Sequence, residues 1–155
     1  MNVKTYLEQH QVPFGVHQHR RTGDASHLAQ AVHVPGKHVA KTVLLHVNHS
    51  YGDAVAVLPA TSHVDFDRLS AMLGGAEVRL ATEQDVALRC PDCEAGVLPP
   101  FGSLYGMRTL VDESLADDEI YFEGNSHDEA ISISFADFRR LESPLMGHFA
   151  APGVK

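Results

Sequence analysis

Val39-Ala40-Lys41-Thr42-Val43-Leu44-Leu45-His46-Val47, followed by Ala54-Val55-Ala56-Val57-Leu58, is the stretch that decides the fold. Both runs are short and rich in β-branched and other apolar residues, and Ser50-Tyr51-Gly52-Asp53 between them has turn composition. The pair reads as a β-hairpin. Side chains alternate across a strand, so Val39, Lys41, Val43, Leu45 and Val47 share one face, and Thr42, His46 and Asn48 the other. Lys41 therefore points with the valines toward the buried side. An ammonium on an apolar face is costly unless it is paired or meets a ligand anion. That makes Lys41 a candidate binding residue, the alternative being a lysine at a strand end whose amine reaches water.

Outward from the hairpin, helices and strands interleave. A helix covers residues 3–10 and a short strand Phe14 to His19. Ala25, Leu28, Ala29 and Val32 fall at i, i+3, i+4 and i+7, a helix started near Thr22 or Asp24 and stopped by Pro35-Gly36. Asp65 can cap a helix carrying Phe66, Leu69, Met72 and Leu73, closed by Gly74-Gly75. Glu77 to Leu80 reads as a strand, and Thr82-Glu83-Gln84-Asp85 as a capping-box start. Further strands lie near Arg108–Val111, Glu119–Glu123 and Ala130–Ser134, and Ser134 opens a last helix through Phe135, Phe138 and Leu141. The fold class is α/β of a mixed, α+β-like kind: one domain whose largely antiparallel, curved sheet is flanked by helices. Residues 1–143 form that domain, and 144–155, with Pro144, Pro152 and Gly153, read as a loose tail.

The 155 residues are 44% hydrophobic, enough for one core, and carry a net charge of −8. That balance argues against a general nucleic-acid coat protein, whose binding rests on phosphate neutralisation. The charge is nonetheless uneven. Between Val16 and Gly52 stand Arg20, Arg21, Lys37 and Lys41 against Asp24, with seven of the eleven histidines. From Asp112 to Glu129 there are eight acids and no Lys or Arg. One basic face could meet a phosphate backbone while the rest stays acidic. The N-terminus shows no apolar signal region and no run reaches membrane-spanning length, so the expectation is a cytoplasmic protein with no membrane partner.

Glu94-Ala95-Gly96-Val97-Leu98-Pro99-Pro100-Phe101-Gly102 brackets two prolines with two glycines. Prolines stiffen the backbone and glycine allows close approach to it, so the N–H groups of Gly96, Val97 and Leu98 could face an oxygen. A protein makes an oxyanion pocket in this way without a catalytic side chain. An ordinary surface turn is the other reading. The tip Gly124-Asn125-Ser126-His127-Asp128 joins two alternating strands, and its polar residues suit either turn chemistry or contact with a substrate.

Cys90-Pro91-Asp92-Cys93 lacks the two further ligands at finger spacing that structural zinc needs, and precedes a proline-rich loop rather than a helix. It reads as two reduced structural thiols with no cofactor called for, the lesser alternatives being a redox pair or a metal site to which His17/His19 or His46/His49 are brought only by the fold. No G-x-S-x-G, H-E-x-x-H or Walker loop occurs, and no histidine neighbours Ser103, which argues against a serine hydrolase.

These pieces together resemble the YbaK/prolyl-tRNA-synthetase-associated editing domain family. The resemblance runs from about Thr22 to Leu141 through Lys41-Thr42-Val43-Leu44-Leu45, Ala56-Val57-Leu58-Pro59-Ala60, Leu69…Leu73-Gly74, Arg79-Leu80-Ala81-Thr82, Gly96-x-x-x-Pro100 and Val111-Asp112-Glu113-Ser114-Leu115. It implies a free-standing deacylase that hydrolyses the ester of a mischarged aminoacyl-tRNA. Lys41 and Gly96 would be its key groups, the lysine holding the 3′-terminal phosphate or helping to position the ester. Thr42, Val97, Leu98, Pro99, Pro100, Phe101, Gly102, Asn125 and His127 would bind the aminoacyl end. The implied partner is aminoacyl-tRNA, with a synthetase as a conceivable second and DNA as none. A non-catalytic tRNA- or nucleotide-binding module of the same fold is the alternative. The chain departs from the family pattern at Arg89-Cys90-Pro91, where a Thr-Gly pair is common, and that bears on amino-acid specificity.

Overall fold

The element order is α1 (Val3–Gln9), β1 (Gly15–Gln18), α2 (Ala25–Ala31), β2 (Ala40–Val47), β3 (Gly52–Pro59), β4 (Ser62–Val64), α3 (Phe66–Met72), β5 (Val78–Leu80), α4 (Glu83–Arg89), β6 (Arg108–Asp112), β7 (Glu119–Glu123), β8 (Glu129–Ser134), α5 (Phe135–Glu142), β9 (Leu145–Gly147) and β10 (Ala150–Pro152). The computed structural model describes residues 2–19, 25–48, 52–95, 97–115 and 118–152. Residues 49–51 at the tip joining β2 to β3, Thr22 and Asp24 where the sequence starts a helix, Arg20, Arg21 and Gly96 lie outside them.

Side chains start the helices, at Asp65, Thr82 and Ser134 where the sequence places caps and at Asn2 where it names none. Asn2 accepts from the Thr5 N–H, Asp65 from Asp67 and Arg68, and Ser134 from Asp137. Thr82 and Asp85 complete a reciprocal capping box at α4. Gly74 and Gly75, at φ +73° and +87°, end α3 in the left-handed region that glycine enters without strain.

β2 and β3 pair antiparallel along their whole lengths, from Ala40 opposite Pro59 to Val47 opposite Gly52. They are the middle of a five-stranded sheet ordered β5-β2-β3-β6-β9, mixed because β6 and β9 join parallel. β1-β8-β7 forms an antiparallel sheet of three, and β4 pairs with β10. A parallel bridge from Val39 to Tyr121 ties the start of β2 to β7. No helix among the described residues is long and apolar enough to cross a membrane.

The register puts Lys41 on the same face as Val43, Leu45 and Val47, opposite Leu58. The expectation of one buried and one polar face does not hold for the strand as a whole, because the central sheet is covered on both sides. Leu45, Ala54, Ala56 and Leu58 pack with Leu69 of α3 and with Phe149, while Ala40 and Val57 on the reverse join Phe101, Phe122, Ile131 and Phe138. Leu44, which blurs the alternation in the sequence, is 2% exposed.

Residues 144–152, read from the sequence as a tail, carry β9 and β10. Phe149 between them is fully buried, and the Asp112 carboxylate accepts the N–H groups of Phe149 and Ala150. Strands of three residues with Pro144 and Pro152 nearby show no period a sequence reading can detect; pairing and the Phe149 anchor make them.

Candidate functional site

Lys41 enters the site from the second position of a central strand. It is half-buried, and its Nζ donates to the Ser62 carbonyl at 2.5 Å, across the start of β4. Thr42, also half-buried, stands on the opposite face opposite Val57. That face carries Leu44 and Val55, and Leu98 packs against their cluster with Met107 and Tyr105. Lys41 and the 97–100 segment therefore meet the central sheet from different faces.

The segment itself is held from within. Val97, Pro99, Pro100, Phe101 and Gly102 are buried and Leu98 is half-buried. The Val97 N–H, one of the expected oxyanion donors, turns back to the Glu94 carbonyl at 3.0 Å. Among the described residues no hydrogen bond engages the Leu98 N–H. Phe101 puts its ring edge-on to Tyr6, Phe122 and Phe138, so its side chain serves the core. Gly102 has a packing reason to be glycine. A Cβ there would lie 2.6 Å from Thr109 Oγ1 and under 3.0 Å from the Met107 and Arg108 carbonyl oxygens.

Asn125 and His127 belong to the same neighbourhood through hydrogen bonds. The Asn125 carbonyl accepts the Glu94 N–H at 2.8 Å, its Oδ1 accepts the Val3 N–H at 3.0 Å, and its Nδ2 lies 3.4 Å from Cys93 Sγ. The His127 N–H donates to Glu94 Oε2, its Nε2 lies 2.7 Å from the Ala95 carbonyl, and its Nδ1 is 2.8 Å from Glu123 Oε2. The Asn125 carbonyl and the His127 N–H and ring clamp residues 94–95 to the hairpin tip.

Cys90 and Cys93, expected as separate thiols, are joined in a disulfide with their Cα atoms 5.3 Å apart. A turn that folds C-x-x-C back on itself brings the pair within bonding reach. Asp92 completes a group of three with ligand atoms within 4.8 Å of one another, but zinc would require both sulfurs as thiolates.

Two polar networks escaped the sequence reading. His46 bridges two carboxylates, Nδ1 to Asp53 at 2.8 Å and Nε2 to Asp85 at 3.0 Å, and Arg89 closes on Asp53 at 2.7 Å. The Asp85 bond, then the Asp53 bond, hold the His46 pKa above its usual value. Asp85 is held down at about 2 by His46 first and then by Thr82. Burial raises Asp53, but its bonds to His46 and Arg89 outweigh that and leave it low. The second network is Glu142, which accepts from Ser103 Oγ at 2.6 Å, Thr109 Oγ1 at 2.9 Å and the Tyr6 hydroxyl at 3.2 Å beside an open cleft of about 390 Å³. Ser103 thus has a carboxylate and a phenol as partners, not a general-base histidine. A capping residue that also reaches a neighbouring strand, as Asp85 does, gives no signal in one dimension.

Residues 19–141 match the family model of the aminoacyl-tRNA editing domain, and the chain belongs to that family. At family level the activity is aminoacyl-tRNA deacylation. Among solved structures the chain resembles a hypothetical protein at TM-score 0.84 and 17% identity, over 96% of this chain and 99% of the other. It also resembles one described as "a putative trans-editing enzyme for prolyl tRNA synthetase" at TM-score 0.79 and 20% identity, over 96% and 94%. Both likenesses speak for the fold. No curated protein matches the chain by sequence.

Proposed function

We propose that the protein is a trans-editing deacylase that hydrolyses the ester of a mischarged aminoacyl-tRNA. The match of residues 19–141 to the editing family carries this reading. Lys41 holds the phosphate of the 3′-terminal nucleotide, and the 96–100 loop receives the aminoacyl carbonyl, with the Leu98 N–H as a donor. Water attacks the ester carbon, and the loop donors stabilise the oxyanion that develops. Losing one such donor typically costs about 2.7–4 kcal/mol. Support for giving Lys41 the phosphate rather than the ester comes from its position on the face away from Leu98. Editing is needed because one methylene is worth only about 1–3 kcal/mol to a synthetase pocket, so a second small site must remove the error. A deacylation series on tRNAs charged with Ala, Ser, Thr, Cys and Pro tests this, using wild type and Lys41→Ala. One ester is cleaved by wild type and far more slowly by the variant; equal rates remove the role of Lys41.

The second reading is a binding module that keeps the fold without catalysis. The internal turn that occupies the Val97 N–H favours it. Tight binding of charged tRNA with every ester left intact would establish it.

A further inference from the structure

The disulfide lies directly ahead of the proposed aminoacyl loop, and its sulfurs have partners suited to both redox states. Cys90 is 1% exposed, whereas Cys93 is half-buried and open to attack. The Tyr105 hydroxyl lies 3.0 Å from Cys90 Sγ and 3.8 Å from Cys93 Sγ, and Asn125 Nδ2 is 3.4 Å from the latter. Asp92 Oδ1 lies 3.3 Å from Cys90 Sγ, an acceptor for the thiol once the bond is open. The same Asn125 takes the Glu94 N–H on its carbonyl, and His127 grips Glu94 and Ala95. The covalent link and the clamp on residues 94–95 are therefore consecutive along the chain and share Asn125.

We propose that Cys90 and Cys93 are a reversible thiol–disulfide site that exchanges with dithiols and sets how firmly residues 94–95 are held on the hairpin tip. A reductant thiolate attacks Cys93 Sγ, the Cys90–Cys93 bond breaks, and Cys90 leaves as a thiolate that takes a proton from solvent. The reductant's second thiolate attacks its own sulfur in the mixed disulfide, closing a ring disulfide and releasing Cys93. Two electrons pass from dithiol to protein, and a disulfide such as oxidised glutathione takes them back in the reverse reaction. Burial, then the Asp92 charge, pushes the Tyr105 pKa up to about 12, so its hydroxyl stays protonated and can donate to the departing sulfur. The inference rests on the deacylase reading for its consequence. Charged tRNA is found where translation runs, in a reducing compartment, and disulfides there are usually transient or redox-sensing.

The test compares the protein equilibrated in reduced dithiothreitol with the protein in oxidised glutathione, by differential alkylation, amide exchange and deacylation. The reduced form takes two alkyl groups and the oxidised form none. Exchange of the hydrogen-bonded Glu94 and Val97 amides is faster in the reduced form by on the order of tenfold, as expected when a short covalent loop opens. Cys90→Ser/Cys93→Ser behaves as reduced protein in both buffers; if that variant does not fold, wild type in the two buffers carries the test alone. Alkylation of both cysteines in oxidised glutathione, one equivalent of zinc in the purified protein, or equal exchange rates would overturn the proposal. Redox-dependent exchange with no ester cleaved in either state sinks the deacylase reading and leaves the site standing.

Discussion

Asp112 Oδ1 sits 2.6 Å from the Phe149 nitrogen and 2.8 Å from that of Ala150, so one carboxylate at the end of β6 fastens the last strands of the chain. Its other oxygen takes the Ser114 N–H and hydroxyl. Asp112 is 2% exposed, and Phe149 fills the cluster of Leu45, Leu58, Leu69 and Leu110. Asp112→Ala strands two inward N–H groups and should cost about 2–3 kcal/mol in urea unfolding at neutral pH. Burial raises its pKa, but the bonds from Ser114, Ala150 and Phe149 prevail and leave it low. A depressed carboxyl contributes fully above its unfolded pKa, and the contribution fades as pH falls through the lower folded value. The gap between wild type and Asp112→Ala should therefore narrow in acid; a constant gap from neutrality to the acid limb would remove the carboxylate's role.

The His46 bridge has the opposite sign. Its pKa is raised by Asp85 first and Asp53 second, so the protonated ring stabilises the fold fully below the ordinary histidine value. That stability is lost as pH rises through the folded pKa. Imidazole NMR should show His46 titrating above the usual range of about 6.5, and Asp85→Asn should bring it down. Urea midpoints should fall for wild type between slightly acidic and slightly alkaline pH and stay flatter in His46→Gln. A His46 titrating at or below the ordinary value would refute the bridge.

The hairpin of β2 and β3, the capped starts of α3, α4 and α5, and the glycines closing α3 were legible because each rests on a local rule: alternation, a side-chain oxygen three residues ahead, a left-handed φ. The face of Lys41 followed from the same alternation. What could not be read depends on contacts between distant positions. Asp112 meets Phe149 across 37 residues, and Asn125 meets Val3 across 122. β9 and β10 exist through such contacts. The reduced thiols expected at Cys90 and Cys93 failed for a local reason, since their pairing depends on how tightly the turn after α4 closes.

Gly102 supports the loop from behind. A methyl at this position would collide with the Thr109 hydroxyl and with the Met107 and Arg108 carbonyl oxygens, which cannot give way without shifting the backbone that leads into β6. Gly102→Ala should cost about 1–3 kcal/mol, as overpacked sites do. It should also displace Phe101 from its edge-on contacts, visible as changed aromatic chemical shifts for Phe122 and Phe138. Gly102→Ala with wild-type stability and unchanged ring shifts would show the backbone there to be less constrained than the distances imply.

Asn125 separates a structural from a binding role. Its Oδ1 satisfies the Val3 N–H at the buried start of α1, its carbonyl holds Glu94, and its Nδ2 faces Cys93. Truncation to alanine leaves the Val3 donor unmet and should cost about 1–2 kcal/mol of stability. The carbonyl bond to Glu94 survives, since it belongs to the backbone. If Asn125 acts only as a strut, Asn125→Ala lowers the urea midpoint while KM for charged tRNA holds. If its amide also touches the aminoacyl group, KM rises as well, and Asn125→Asp, which keeps the acceptor for Val3, restores stability without restoring KM. The geometry, with both ends of the side chain engaged by the protein itself, predicts the first pattern.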